Sequence, residues 1–282
     1  MQLSCVSQKV ILYSILVSET TFHQQLKLVT QSLETGDQTI NDIQYSMHKL
    51  EQLVFANRNI VFNGDANEIA ALMQRTRPQY GMREVKLEKA IGKEILDGNL
   101  DPKEAIKRLS KYPPIQRTFN YSALEAKAMK LSEDSRFVHV GCGGLPETLV
   151  GIQQMTSGNN LTGIDMDPYA IAKGNAFLKA INLEQINLVQ ANGAEFDYQN
   201  STDILIAVLV RPEVETVARI CETASKDSPV TIALRRSLGV AQTIYDDVSP
   251  KSLQLLDQNG FTFLTRVTGH AVVETDIYRR DK

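Results

Sequence analysis

The sequence predicts an α/β protein in which a helical N-terminal domain, residues 1–132, precedes an open and mostly parallel sheet, residues 133–282. Three observations carry this. From about residue 133, strand-length apolar runs alternate with amphipathic helical stretches. A glycine-rich turn, Gly141-Cys142-Gly143-Gly144, joins the first of those runs to a helix. Near the end of the sequence, two β-like runs flank Gly269, the pattern of an antiparallel hairpin.

In the N-terminal part, Phe22, Leu26, Val29 and Leu33 fall at helical spacing, as do Ile40, Ile43, Met47, Leu50 and Val54. Asn63-Gly64-Asp65 is a turn signal that separates this helical pair from the next segment. Glu84 to Leu96 predicts another amphipathic helix, closed by Gly98. Asp101-Pro102-Lys103-Glu104 combines an N-cap, a proline at the first helical position and a glutamate at the third. Ser122-Ala123-Leu124-Glu125 repeats the capping-box pattern and predicts one more helix start. Tyr112-Pro113-Pro114, between those two starts, predicts a stiff extended connection.

Strands are expected at 136–140, 161–165, 186–190, 203–209 and 229–234, and helices at 146–156, 168–181 and 212–225. The terminal hairpin takes 261–267 and 271–278. Five parallel strands finished by such a hairpin make the Rossmann-like seven-stranded sheet of class I S-adenosylmethionine (SAM) enzymes. NAD-binding Rossmann domains normally lack that hairpin.

The whole chain has 282 residues, 43% hydrophobic and 22% charged, with a net charge of −3. That balance argues against a protein that holds nucleic acid by bulk electrostatics. No apolar run approaches the roughly 20 residues that span a bilayer, so no membrane association is expected. Val10 to Val17 follows Lys9, but the run is short and no clear small-residue cleavage site follows, against a signal peptide. Cys5, Cys142 and Cys221 are scattered and odd in number, which suggests reduced thiols in a cytoplasmic protein. No His, Cys and carboxylate spacing predicts a metal site.

The glycine turn departs from the GxGxxG of dinucleotide enzymes because Pro146 occupies the last glycine position. A pyrophosphate needs that third glycine for close helix packing; SAM has no pyrophosphate, so the departure favours SAM. Gly141, Gly143, Gly144, Leu145 and Pro146 are therefore read as the SAM loop. Asp165, at the tip of the second strand, is placed to accept from both ribose hydroxyls, with Met166 beside it. Asp167 is the more natural cap of the following helix. Asn192 and Gly193 stand after the third strand, where such folds meet the adenine. Ala207 and Leu209 belong to the apolar Ala207-Val208-Leu209-Val210, which replaces the (Asn/Asp)-Pro-Pro-(Tyr/Phe) run of enzymes that methylate DNA or protein amides.

The chain also resembles nicotianamine synthases and their bacterial relatives, the aminobutanoyltransferases of opine-metallophore biosynthesis. Val140 to Thr148 is similar to the family's VGSGPLPLT loop, Ile164 to Pro168 to its FDIDP, and Ile206 to Val210 to its LAALV. Arg236-Ser237, Gly239 and Tyr245 resemble RSAHGARAFLY. Upstream, Gly81 to Glu88 resembles GEAEGLLE, and Tyr112-Pro113 through Glu125 resembles FPYY…LSxLE. The motifs run in the same order over about residues 75 to 280. Gly144 departs from the proline of GPLP, and Pro114-Ile115 from the paired tyrosines.

The resemblance implies transfer of the 3-amino-3-carboxypropyl (aminobutanoate) arm of SAM to the amino group of a small amino acid, with release of 5′-methylthioadenosine. Histidine is the acceptor used by bacterial relatives of this length, and the product would pass to an opine dehydrogenase. A nicotianamine-type enzyme that polymerises aminobutanoate units is the near rival. A small-molecule methyltransferase and a non-catalytic SAM-binding protein are more distant ones. The attacking amine must lose a proton, so a carboxylate is needed beside it. Glu84, on the helix matching the family's glutamate-bearing segment, is the candidate, and Glu88 lies one turn on. Tyr112 and Tyr245 are candidates to supply hydroxyls. Arg235 and Arg236 are candidates to clamp a substrate carboxylate. His139 is expected to be buried and hydrogen-bonded, and His270 to lie in the hairpin turn. The amphipathic N-terminal helices allow a homodimer.

Overall fold

Five helices come first in the computed structural model, which describes residues 19–35, 39–60, 66–98, 100–156, 160–270 and 272–281. The readings on Cys5, Val10 to Val17 and Asn63-Gly64-Asp65 lie outside the described residues. The helices are α1 (Glu19–Glu34), α2 (Ile40–Ala56), α3 (Ala66–Asp97), α4 (Pro102–Leu109) and α5 (Pro113–Met129). Thr39 and Asp42 form a reciprocal capping box at the start of α2. Asp101 caps α4 as expected, accepting from the backbone N–H groups of Lys103 and Glu104. The helix read at 84–96 is the end of α3, which runs 32 residues and contains Pro78.

Two expectations fail at α5. Tyr112-Pro113-Pro114 is not an extended connection; the prolines open the helix, where a missing N–H removes no intrahelical bond. Ser122 does not start a helix. It sits in mid-helix and its hydroxyl donates to the Thr118 carbonyl at 2.8 Å. A serine bonding back four residues carries the same letters as a cap. Glu125 is therefore a mid-helix residue, and it is fully buried.

The sheet has seven strands: β1 (Phe137–Val140), β2 (Leu161–Asp165), β3 (Asn187–Gln190), β4 (Asp203–Ile206), β5 (Val230–Arg236), β6 (Thr262–Val267) and β7 (Glu274–Arg280). Their order is β3-β2-β1-β4-β5-β7-β6. The first five are parallel, and β7 is antiparallel to both β5 and β6, so the terminal hairpin is as expected. Helices α6 (Glu147–Met155), α7 (Pro168–Ala180) and α8 (Glu213–Thr223) match the reading. Helix α9 (Pro250–Gln258) was not expected, although Ser249-Pro250 repeats the cap-and-proline start of α4. Strand β4 is shorter than read, leaving Ala207 to Leu209 free to line what lies above it.

Apolar side chains pack on both faces of the sheet. One core runs from Leu26 and Leu50 through Ile91 and Phe119 to Leu149 and Phe177, joining the N-terminal helices to α6 and α7. The other packs α8 and α9 on the opposite face, through Val217 and Leu256 against Ile204 and Ile232. Among the described residues, no helix is long and apolar enough to cross a membrane.

A buried ion pair ties α5 to the sheet. Arg235, near the end of β5, donates to both carboxylate oxygens of Glu125 at 2.9 and 2.7 Å, and to Thr148 of α6 at 3.1 Å. Thr275 of β7 donates to the same carboxylate at 2.7 Å. Tyr121, one turn earlier on α5, donates to the Val267 carbonyl at 3.0 Å. Removing one partner of such a pair leaves a buried charge unmatched. Glu125→Ala should lower unfolding free energy by about 3–5 kcal/mol, read from urea denaturation; a loss below about 1 kcal/mol would mean the pair behaves like a surface one.

Candidate active site

The strand order reverses between β1 and β4, and such switch points leave a crevice outside the carboxyl ends of the strands. A cavity of about 420 Å³ occupies that crevice, walled by α3 and the first turns of α5. The glycine loop forms one side. Gly141 and Gly143 have φ of +77° and +69°, a region that costs side-chain-bearing residues energy. A Cβ on Gly141 would lie 2.8 Å from Val210, whereas Gly143 faces open space. Asp165 fixes this loop: one carboxylate oxygen accepts from the Gly143 N–H at 2.9 Å and the other from the Asp167 N–H at 3.0 Å. Each oxygen keeps a second lone pair for a ligand hydroxyl. Asp167 caps α7 through the Tyr169 N–H, as expected.

Leu145, Met166, Gly193, Ala207 and Leu209 also line the cavity. Gly144 and Pro146 are not among its lining residues. Gly144 packs against Ala170 and Lys173 of α7, and Pro146 opens α6. Asn192 is turned into its own loop, accepting from the Ala194 N–H at 3.0 Å and donating to Glu195 at 3.2 Å.

The facing wall is acidic. Glu84 and Glu88 on α3 and Glu147 in the first turn of α6 line one cavity. Tyr245 donates to Glu84 Oε1 at 2.6 Å, while Glu84 Oε2 is buried without a hydrogen-bond partner. Burial raises the Glu84 carboxyl to about 7; the Tyr245 bond and the Arg117 charge pull it down, and the Glu51 charge pushes it up. Burial likewise raises Glu147 to about 7, against the pull of its own backbone N–H and of Arg235. Glu88 is held well above the usual carboxylate range, first by burial and then by repulsion from Glu147, Glu84 and Asp165. Three crowded carboxyls thus resist ionisation in one cavity, the kind of perturbed acid cluster that marks a candidate functional site.

Other expected site residues fall elsewhere. Tyr112 donates to Glu94, remote from the cavity, because its place at the start of α5 turns it toward the later part of α3. Arg236 is held by Asp247 at 2.8 and 3.0 Å and by Asp276 at 3.0 Å, so its fork is occupied inside the protein. Arg235 lines the cavity, but Glu125 takes its bidentate face. His139 is buried as expected, yet neither ring nitrogen has a partner; burial and Arg235 hold it neutral at the cavity wall. His270 also reaches the wall, its ring 5.2 Å from that of Tyr121.

Three residues were missed. Glu147 follows the Leu145-Pro146 pair, and an acid in the first turn of a helix beside a ligand loop was a readable signal. Tyr80 and Arg117 carry no local signal. They reach the site only through packing of α2, α3 and α5: Tyr80 donates to Glu51 at 2.6 Å, and Arg117 donates to the same oxygen at 2.8 Å. Among the described residues, no three His, Cys, Asp or Glu side chains are grouped to hold a metal ion.

No protein-family model matches the chain, and no curated protein matches it. Solved structures do. A Glu-to-Gln mutant of MtNAS, a nicotianamine synthase, superposes with a TM-score of 0.79 at 15% identity, covering 93% of this chain and 98% of that one. The same mutant in complex with S-adenosylmethionine gives 0.77 at the same identity and coverage. MtNAS in complex with MTA and tNA gives 0.76 at 16% identity, over 92% and 97% of the two chains. At this identity the likeness is one of fold. The Rossmann-like seven-stranded sheet of class I SAM-dependent enzymes, preceded by helices, is the fold of this protein.

The raised Glu84 carboxyl has a signature in stability. Between its ordinary 4.5 and about 7, the unfolded chain releases a proton that the folded protein keeps. Stability therefore falls as pH rises through that window and is flat above it. Glu84→Gln removes the loss and keeps an acceptor for Tyr245. Its Tm relative to the parent should rise between about pH 5 and about pH 8; an equal difference at both pH values would place Glu84 in a solvated setting.

Proposed function

We propose that this protein transfers the 3-amino-3-carboxypropyl group of SAM to the amino group of a small amino acid, histidine first, and releases 5′-methylthioadenosine. In this reading it acts in the cytoplasm, in the biosynthesis of a nicotianamine-like opine metallophore, and passes its product to an opine dehydrogenase. One observation carries the reading: Glu84, with an unpartnered buried oxygen and a carboxyl raised to about 7, faces the same cavity as the glycine loop and Asp165. The sequence motifs support it. So does a fold shared over 93% of the chain, N-terminal helices included, with a protein solved in complex with S-adenosylmethionine.

The residues present fit SAM. Gly143 opens onto free space, Asp165 keeps lone pairs for ribose hydroxyls, and Leu145, Ala207 and Leu209 offer apolar surface. When bound, SAM supplies a sulfonium whose attached carbons are open to displacement by an amine. Glu88 and Glu147 hold the acceptor ammonium beside Glu84. Glu84 takes one proton on Oε2, which frees the nitrogen lone pair. The N–C bond forms as the C–S bond breaks, and its electron pair stays on sulfur, leaving a neutral thioether. Which of the three carbons reacts depends on which is held in line with the amine.

Mass spectrometry of the protein incubated with SAM and a panel of amino acids, both histidine enantiomers included, tests this. Methylthioadenosine and a histidine adduct one aminobutanoate unit heavier are expected. Successive additions would favour the polymerising rival. S-adenosylhomocysteine with a methylated product would make the protein a methyltransferase.

Glu84→Gln should keep SAM affinity and lower kcat by about 100-fold or more; a rate within a few-fold of the parent would remove Glu84 from the chemistry. Because the ionised form is the base, kcat/KM should rise with pH and level off above about 7. Asp165→Ala should instead weaken SAM binding by about tenfold or more, read by calorimetry, and unchanged affinity would refute the ribose assignment.

A further inference from the structure

A second cavity, of about 230 Å³, lies beside the first and shares Met47, Leu87, Pro114 and Arg117 with it. Exposed Tyr45, His48 and Pro113 form its mouth, and Glu51 lines it. Glu51 is buried on α2, yet it is joined to the active site by side chains. Its Oε1 accepts from Tyr80 at 2.6 Å and from Arg117 at 2.8 Å. The Tyr80 ring meets that of Tyr245 edge-on, centroids 5.7 Å apart at 87°. Tyr245 in turn bonds Glu84 at 2.6 Å. Nothing in the transfer chemistry itself requires Glu51 or Tyr80.

We propose that Glu84, Tyr245, Tyr80 and Glu51 form a proton relay that carries the acceptor's proton out of the active site and into the second cavity. This rests on the reading of Glu84 as the base. With both carboxylates ionised, the two hydroxyls point outward, Tyr245 to Glu84 and Tyr80 to Glu51. Once Glu84 has taken the proton, its carboxyl turns to donate to Tyr245. Tyr245 then donates to Tyr80, and the Tyr80 proton passes to Glu51. One proton enters at Glu84 and one leaves at Glu51, both hydroxyls are restored with their direction reversed, and water or buffer in the second cavity removes it. The relay works while substrates fill the first cavity and block that exit.

Glu84 faces Glu51, Arg117, Tyr80 and Tyr245, with Glu88 and Glu147 across the cavity. Glu51 faces Arg117 from α5, Tyr80 and Glu84 from α3, Tyr245, and His48 on its own helix. Tyr80 and Tyr245 both resist ionisation, through burial and the neighbouring carboxylates, so they pass protons as neutral hydroxyls and do not store charge.

Tyr80→Phe keeps the ring and removes the link. At low buffer concentration its kcat should fall about tenfold, with KM for SAM and for the acceptor within about twofold. Raising N-methylmorpholine at fixed pH and ionic strength should restore most of the loss, because a small base can take the proton from Glu84 once the products have left the first cavity. Glu84→Gln should not be rescued. In the parent, kcat should fall with deuterium fraction along a curve, as several protons move together; in Tyr80→Phe the dependence should be linear. Glu51→Gln should repeat the buffer rescue, so a folding defect in one variant does not decide the matter. An unchanged kcat in Tyr80→Phe, or a loss that buffer does not restore, overturns the relay. If Glu84→Gln keeps its rate while Tyr80→Phe loses it, the base assignment fails instead.

Discussion

The architecture hangs on one buried carboxylate. Glu125 sits in the middle of α5 with no solvent contact, and it is matched by Arg235 on the last parallel strand. Desolvating two charges is unfavourable, and the attraction returns that loss only when the remaining lone pairs are also met. Here Thr275 from β7 and Thr148 from α6 complete the set. Four elements are thereby fixed to within hydrogen-bond tolerance around one point. The pair also fixes the depth at which α5 lies on the sheet, and so the place of Arg117 and Tyr121, which line the cavity on the same helix.

That pairing shapes the electrostatics above it. Arg235 approaches Glu147 and His139, lowering the pKa of both, but its fork is spent on Glu125. Its pull on Glu147 is too weak to overcome burial. Arg117 acts in the same way on Glu84, being bound to Glu51. The carboxyl wall thus stays raised although two arginines line the same cavity. On the proposed reading, a cation entering it would meet carboxyls that ionise as it binds, coupling its affinity to proton movement. A structural ion pair would have done the opposite, holding the acids ionised and idle.

What was legible in the sequence was local. Strand and helix alternation, the hairpin around Gly269 and the Asp101 and Asp167 caps depend on neighbours a few residues apart, and all are present. The capping-box letters at Ser122 and the double proline at Tyr112 misled, since each has two physical uses and only the length of α5 selects between them. Arg235 and Arg236 were read as free forks because their partners lie 110 and 11 residues away, and no pattern in the chain announces them. Tyr245 and Glu84, 161 residues apart, were both singled out by motif, yet their contact is a fact of packing alone.

That contact sets the working point of the site. Burial by itself would push Glu84 far enough to keep it protonated and useless as a base near neutral pH. A freely solvated Glu84, near its ordinary 4.5, would ionise readily but hold a proton too weakly to take one from an ammonium. The Tyr245 hydroxyl donates to the ionised form and draws the carboxyl back, while Glu51 across the tyrosine pair adds an opposing charge. The value of about 7 is the balance of these effects. It depends on Tyr245 reaching α3 from the loop after β5, where the Asp246 side chain next in sequence is held to Arg77 of α3. Glu84 is therefore tuned from the loop after β5, by a residue whose own position is secured by an ion pair outside the cavity.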